Sequence, residues 1–80
     1  MSSHVHPDLA EILVTAFQVP TEEIRPTATL EELGLDSLAV IELADILAER
    51  LAVQVAEGEL AAGSSLAAVS ELLGDRTGAR

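Results

Sequence analysis

The chain contains no cysteine and no lysine, and Phe17 is its only Phe, Tyr or Trp residue. Without cysteine the protein has neither disulfide bonds nor thiolate metal ligands, so packed side chains must stabilise it. A core built of Leu, Ile, Val and Ala, with almost no aromatic residues, suits packed helices better than a sheet sandwich. The 80 residues predict a single domain (residues 1–80), near the smallest size at which one hydrophobic core is sufficient.

Positive charge is also scarce, since four arginines stand against fourteen acidic residues and the formal net charge is -10. A chain this acidic repels nucleic-acid phosphates and anionic lipid surfaces, so we expect neither as a partner. The longest stretch without charge, residues 60–70, is far shorter than the ~20 residues that span a bilayer. No basic start followed by an apolar stretch marks a signal peptide, and we therefore expect a cytoplasmic protein.

Apolar residues recur at helical spacing from residue 7 to residue 18 and predict a first helix. Pro7 suits the first helical position, and Asp8 lies near the positive end of the helix dipole. The predicted core face of this helix consists of Leu9, Ile12, Leu13, Ala16 and Phe17.

A long connection over residues 19–35 follows, because two prolines exclude a regular helix there. Within it, Thr29 and Glu32 have the spacing of a capping box and Gly34 is placed to end a short element, so we expect a single helical turn. A loop of this length in so small a domain tends to be functional or internally anchored.

The second long helix is predicted from Asp36 or Ser37 to about Ala52. Its inner stripe, expected to face the core, consists of Val40, Leu43, Ala44, Leu47 and Leu51. Its outer stripe, expected to face solvent, consists of Leu38, Glu42, Asp45 and Glu49.

Two more helices are predicted after it. A short third helix around residues 57–62 is bracketed by two glycines, which lower helix propensity. A fourth helix is expected to be capped by Ser64 or Ser65 and to end at Gly74. Its predicted core residues are Leu66, Val69, Leu72 and Leu73.

These elements together predict an all-α fold. We expect a small four-helix bundle, with three longer helices, a short third helix and a long loop between helices 1 and 2. The ordered core is expected to cover about residues 7–74, with polar tails at residues 1–6 and 75–80.

Asp36 and Ser37 stand where the second helix begins, and two interpretations of this pair are open. In the structural one, Asp36 is an N-cap and Ser37 is an ordinary residue of a first turn. In the functional one, unpaired backbone N–H groups and the helix dipole favour an anion attached to the Ser37 oxygen, such as a phosphodiester.

Catalytic and metal-binding alternatives are disfavoured. A Ser/His/Asp triad would need a histidine, but His4 and His6 both lie in the N-terminal tail, and so small a chain has little room for an enclosed pocket. The same two histidines do not complete a metal coordination sphere. We therefore expect neither a Ser/His/Asp active site nor a metal site at these two histidines.

The outer stripe of the second helix combines acidic and apolar residues. Glu42, Asp45 and Glu49 form a solvated face or, as an alternative, a divalent-ion site, although they lack the oxygen spacing of a calcium loop. Leu38 and Ile41 beside them are expected to form a small docking patch rimmed by acids.

The segment LEELGLDSLAVIELADILAERL, residues 30–51, resembles the phosphopantetheine attachment region of acyl carrier proteins. Element order, length and acidity extend the similarity over roughly residues 7–74. The resemblance implies that Ser37 carries a covalent 4′-phosphopantetheine arm and that Asp36 accompanies it. It also implies that enzymes contact the outer side of the second helix, at Leu38, Ile41, Glu42 and Glu49, with Asp45 on the same stripe.

On this resemblance the chain itself catalyses no reaction, because the thiol of the arm carries an acyl group as a thioester and partner enzymes act on that group. The implied partners are a phosphopantetheinyl transferase and acyltransferases, ketosynthases or acyl-activating enzymes with basic docking patches. The carrier is expected to be a monomer.

The residues around Ser37 differ from those of other carrier branches. Carriers of peptide assembly lines usually have Gly-Gly-x-Ser there, and carriers of primary fatty acid synthesis commonly have an acid where Ala39 stands. A free-standing carrier of a polyketide or other specialised-metabolite pathway is therefore favoured. A carrier of primary fatty acid synthesis and a non-carrier acidic helical adaptor are the alternatives.

Overall fold

The computed structural model describes residues 5–55 and 58–77 of the chain, with side chains described as far as Asp75. The elements in chain order are helix α1 (Pro7–Ala16), a 3-10 turn (Thr21–Glu23), helix α2 (Ser37–Leu51) and helix α3 (Leu66–Thr77). Within the described ranges the fold is all-helical and has no strand, which confirms the predicted class. Among these residues no helix is both long enough and apolar enough to cross a membrane.

The start of α1 is tied to α3 through His6. Its Nδ1 atom accepts a hydrogen bond from the backbone N–H of Asp8 (3.2 Å), and its own backbone N–H donates to Oγ of Ser70 (2.7 Å). Val5 packs against the core beside it. Val5 and His6 thus contact the rest of the fold before the predicted start of the core at about residue 7, whereas residues 1–4, which include His4, lie outside the described part.

Helix α1 ends at Ala16, two residues before its predicted end. Gln18 has a left-handed backbone conformation (φ 58°), which a right-handed helix does not contain. The chain turns there, and the backbone N–H of Val19 donates to the carbonyl of Leu13 (3.0 Å). The helix therefore ends slightly before the predicted boundary at about residue 18.

The core lies between the helices and the long loop. The predicted inner stripe of α2 is confirmed, because Val40, Leu43 and Leu47 are buried and Ala44 and Leu51 pack against the core. The loop and the segment before α3 contribute apolar side chains to the same cluster, as the helices do. The buried hydrophobic residues are Leu9, Ile12, Leu13, Val19, Ala28, Leu30, Leu35, Val40, Leu43, Leu47, Leu60, Leu66, Val69 and Leu73.

The loop between α1 and α2 contains the predicted turn. The N–H of Thr29 donates to Oε1 of Glu32 (3.1 Å), and the N–H of Glu32 donates to Oγ1 of Thr29 (3.2 Å), which is the reciprocal pair of a capping box. The N–H of Leu33 donates to the carbonyl of Thr29 (3.2 Å) and closes the turn. Gly34, with φ 92°, then leads the chain out of it.

Backbone hydrogen bonds join this loop to the residues before α3. The N–H of Leu30 donates to the carbonyl of Ser64 (3.1 Å), and the N–H of Glu31 donates to the carbonyl of Ala62 (2.7 Å). Further bonds run in the other direction, from the first residues of α3 to loop carbonyls. The long loop is thus internally anchored, as its length indicated.

The predicted short third helix is not found in the part of the chain that the structure describes. Residues 58–62 form turns and bends, and residue 57 lies outside the described ranges. Gly58 has φ 95°, a conformation that interrupts a right-handed helix. The count of four helices is therefore not confirmed.

Helix α3 has the predicted cap but not the predicted end. Oγ of Ser65 accepts a hydrogen bond from the N–H of Ala68 (3.1 Å), whereas the helix runs to Thr77 rather than stopping at Gly74. A glycine ends a helix when it takes a left-handed conformation, and Gly74 has no positive φ. The helix therefore continues three residues beyond the predicted end of the ordered core at about residue 74.

Candidate functional site

Asp36 and Ser37 have different roles at the start of α2. Asp36 is the N-cap, with an extended backbone (φ -89°, ψ -174°), and its Oδ1 atom accepts a hydrogen bond from the N–H of Ala39 (2.9 Å). Ser37 is the first helical residue, and it is exposed. Because Asp36 supplies the capping interaction, the hydroxyl of Ser37 is not needed for it.

The chain reaches this point through a sharp change of direction at Gly34. Its φ of 92° suits glycine, but a Cβ at this position would have no heavy atom within 4 Å. The glycine is therefore required by the backbone conformation rather than by crowding. Leu35 follows it, is buried, and donates its N–H to the carbonyl of Leu30 (3.1 Å), which anchors the chain directly before Asp36.

Two large apolar side chains are exposed next to Ser37. Leu38 is 65% exposed and Ile41 is 44% exposed, and they are the exposed large hydrophobic residues of the described part. Such side chains on the surface of a small protein mark a contact surface when they lie together. The rest of the predicted outer stripe, Glu42, Asp45 and Glu49, is exposed as well.

The acids of the outer stripe are not neutralised within the described part of the chain, where Glu42, Asp45 and Glu49 form no ion pair. The basic residue of α2, Arg50, instead contacts Glu11 and Asp8 on α1. Nor do the described residues contain a group of three potential ligands that could hold a metal ion, so the divalent-ion alternative has no support there.

A groove runs along α2 beside Ser37, between this helix and residues 58–62. It consists of two adjacent cavities of about 280 Å³ each, which share Val40, Ile41, Gly58 and Leu60. One cavity reaches Ser37, Ala61 and Ala62, and the other reaches Ala44, Asp45 and Val55. The groove therefore starts at the exposed serine, where its wall is mostly apolar, and the part that reaches Asp45 exposes polar and apolar surface in similar amounts.

Sequence reasoning did not identify this groove, although it identified Ser37 and its neighbours on α2. The wall formed by Gly58 and Leu60 depends on the turn that replaces the predicted third helix. That turn requires the positive φ of Gly58. The presence of a glycine at this position was the only sign of it in the sequence.

His6, the histidine that the structure describes, does not contribute to the site. His6 forms hydrogen bonds with Asp8 and Ser70, at the start of α1 and on α3, and none with Ser37. His4 lies outside the described residues. A Ser/His/Asp arrangement that includes His6 is therefore not formed.

Comparisons with known proteins agree with this geometry. A family model described as "Phosphopantetheine attachment site" matches residues 7–73. A lovastatin diketide synthase of Monascus pilosus is 38% identical over 61 residues, which are 76% of this chain and 2% of that protein. The chain thus spans only a small fraction of this relative's length. No solved structure matches the chain. The chain belongs to the phosphopantetheine attachment family, a family of carrier domains to which a 4′-phosphopantetheine group is covalently attached.

Proposed function

We propose that this chain is an acyl carrier whose 4′-phosphopantetheine is attached to Oγ of Ser37. The main observation that supports the assignment is an exposed serine at the first position of α2 whose hydroxyl is free of any capping role, since Asp36 performs it. The Asp-Ser-Leu order of residues 36–38 and the match of the family model over this region support the same residue. When bound, the group supplies a terminal thiol that carries an acyl chain as a thioester.

The surroundings of Ser37 fit a phosphodiester. Within the described part of the chain, the backbone N–H groups of Ser37 and Leu38 have no hydrogen-bond partner, because the cap occupies only the N–H of Ala39 and the helix begins bonding at Val40. Free N–H groups at a helix N-terminus favour a negative charge. The aliphatic groove next to Ser37 offers a surface along which the arm and a short acyl chain can lie.

Partner enzymes are proposed to dock on the outer side of α2. Leu38 and Ile41 supply apolar contact area next to Ser37. Glu42, Asp45 and Glu49, which form no ion pair among the described residues, add negative charge beside it. The complementary surface has basic residues around a small apolar notch. A phosphopantetheinyl transferase is the first such partner, followed by acyltransferases, ketosynthases or acyl-activating enzymes.

The pathway proposed is a polyketide or other specialised-metabolite pathway. It is supported by the similarity to a diketide synthase and by Ala39, which stands where carriers of fatty acid synthesis commonly have an acid. In this proposal the chain acts as a cytoplasmic monomer and leaves all bond chemistry to its partners. A carrier of primary fatty acid synthesis is the alternative pathway assignment.

The test is modification of the purified chain by a broad-specificity phosphopantetheinyl transferase with Mg²⁺ and coenzyme A. Intact mass spectrometry should show the addition of one arm, and fragment spectra should place it on Ser37. Ser37→Ala should abolish the addition and leave the helical circular dichroism nearly unchanged, because Asp36 still caps α2.

Thr27→Ala is the control, because it removes an exposed hydroxyl outside α2 that forms no hydrogen bond among the described residues, and it should be modified like the parent. Modification of Ser37→Ala to the same extent as the parent would contradict the assignment of Ser37. A parent chain that stays unmodified would favour a non-carrier adaptor.

A further inference from the structure

The capping box in the loop lies only a few residues before Ser37. Its two hydrogen bonds join Thr29 and Glu32 reciprocally, at 3.1 Å and 3.2 Å. Glu32 is exposed, and its carboxylate is not needed to fill the core. The carboxylate therefore has a defined contact that is separate from the acidic stripe on α2.

The turn that this box closes leads directly to the start of α2. The carbonyl of Leu30, a fully buried residue, accepts hydrogen bonds from the N–H groups of both Leu33 and Leu35, each at 3.1 Å. Leu35 is itself buried and is followed at once by Asp36, whose extended backbone begins the helix. The position of Ser37 thus depends on a continuous series of contacts that begins at Thr29 and Glu32.

The opposite side of the turn is already fixed. The N–H groups of Leu30 and Glu31 donate to carbonyls of Ser64 and Ala62, so the first residues of the turn are held against the segment before α3. Among the described residues, the backbone N–H groups of Glu32 and Leu33 donate no hydrogen bond to that segment, although Leu33 packs against the core. The capping box therefore supports the second half of the turn, together with the backbone hydrogen bonds that Leu33, Gly34 and Leu35 donate.

We propose that Glu32 is a positioning residue for the modification of Ser37. By accepting the N–H of Thr29, its carboxylate keeps the turn closed and holds Leu35 and Asp36 where they present Ser37 to the transferase. The inference rests on the proposed attachment at Ser37. Only carrier molecules with a closed turn can be modified by the transferase. Opening the turn lowers the fraction of such molecules, which raises the apparent KM for the carrier and leaves kcat at saturation unchanged.

Three variants separate positioning from charge. Glu32→Ala removes both the hydrogen bond and the charge, Glu32→Gln removes the charge and keeps an acceptor for Thr29, and Glu31→Ala removes a neighbouring charge. Glu31 is the matched control because its side chain forms no hydrogen bond or ion pair among the described residues. Each is assayed with a phosphopantetheinyl transferase and fluorescent coenzyme A over a range of carrier concentrations.

For Glu32→Ala we expect KM to rise by up to about twofold with kcat unchanged, whereas Glu32→Gln and Glu31→Ala should stay close to the parent. Amide hydrogen exchange gives a second readout that does not need the enzyme. Exchange of the Leu33 and Leu35 amides should accelerate about three- to tenfold in Glu32→Ala and return to the parent rate in Glu32→Gln.

Similar losses in all three variants would mean that negative charge attracts the transferase and would overturn the positioning role. Equal KM values and exchange rates in Glu32→Ala and the parent would overturn it as well, while modification of the parent at Ser37 would leave the proposed function standing. A parent that is not modified at Ser37 would instead overturn the proposed function, and the inference with it.

Discussion

Nη2 of Arg50 on α2 donates a hydrogen bond of 2.6 Å to Oε1 of Glu11 on α1, and the same nitrogen lies 3.6 Å from Oδ1 of Asp8. The basic side chain of α2 therefore points toward α1 and does not neutralise the acids on the outer stripe. The negative potential of that stripe is stronger than the composition of α2 alone indicates.

The first prediction concerns the stability that this contact contributes. Arg50→Ala should lower the free energy of unfolding by at most about 1 kcal/mol, because the pair is partly exposed and solvent screens it. The difference should shrink as salt is added. Arg25→Ala is the control, since it removes the same charge and Arg25 forms no ion pair among the described residues. A loss above about 3 kcal/mol that does not depend on salt would contradict this account.

The second prediction compares the two faces of α2 with one type of substitution. Leu47→Ala should lower the free energy of unfolding by about 2–5 kcal/mol, because Leu47 has no exposed surface and the change leaves a cavity. Leu38→Ala should change it by no more than about 0.5 kcal/mol, since that side chain is mostly exposed. Chemical denaturation measures both, and similar losses would show that the helix faces are wrongly assigned.

The third prediction concerns the end of α2, where Ala52 has a left-handed conformation (φ 55°, ψ 44°). Ala52→Gly should stabilise the protein by about 1 kcal/mol, because glycine adopts this conformation without the steric cost of a Cβ. Ala48→Gly, one turn earlier within the helix, should instead destabilise it by about 0.5–1 kcal/mol. Melting temperatures that fall equally in both variants would contradict the left-handed cap.

The parts of the fold that the sequence predicted correctly depend on local spacing. The inner stripe of α2 follows from apolar residues that recur with the helical period, as at Val40, Leu43 and Leu47. The turn at Thr29 and Glu32 follows from two side chains three residues apart. In both cases the residues that interact, or that share a face, are only three or four positions apart, so the sequence pattern alone predicts their arrangement.

The parts that were missed depend on residues far apart in the sequence or on a backbone angle. The bond from His6 to Ser70 spans 64 residues, and the one from Arg50 to Glu11 spans 39. No periodicity signals such contacts, because they exist only after the helices have packed. Likewise, the sequence does not distinguish Gly58 from Gly74, yet of the two only Gly58 has a positive φ. Gly58 therefore lies in a turn, whereas Gly74 lies within α3.

The last prediction addresses partner recognition, which the proposal assigns to the exposed face of α2. Charge attraction across an interface mainly raises the association rate, and salt screens its exposed part over about 8 Å at physiological ionic strength. Glu42→Lys should therefore slow turnover by the transferase chiefly at limiting carrier concentration. Glu71→Lys, which makes the same charge change at an exposed position on α3, should have a smaller effect.

Leu38→Ala should behave differently from Glu42→Lys, because the contribution of Leu38 is apolar surface that a partner covers. We expect a faster dissociation of the complex that changes little with salt, whereas the defect of Glu42→Lys should weaken as salt rises. Steady-state kinetics of the transferase at several salt concentrations measure both. Parent-like, salt-independent activity of Glu42→Lys would mean that the acids at 42, 45 and 49 form only a solvated face, and that recognition lies in the loop before Gly34 or in the cargo.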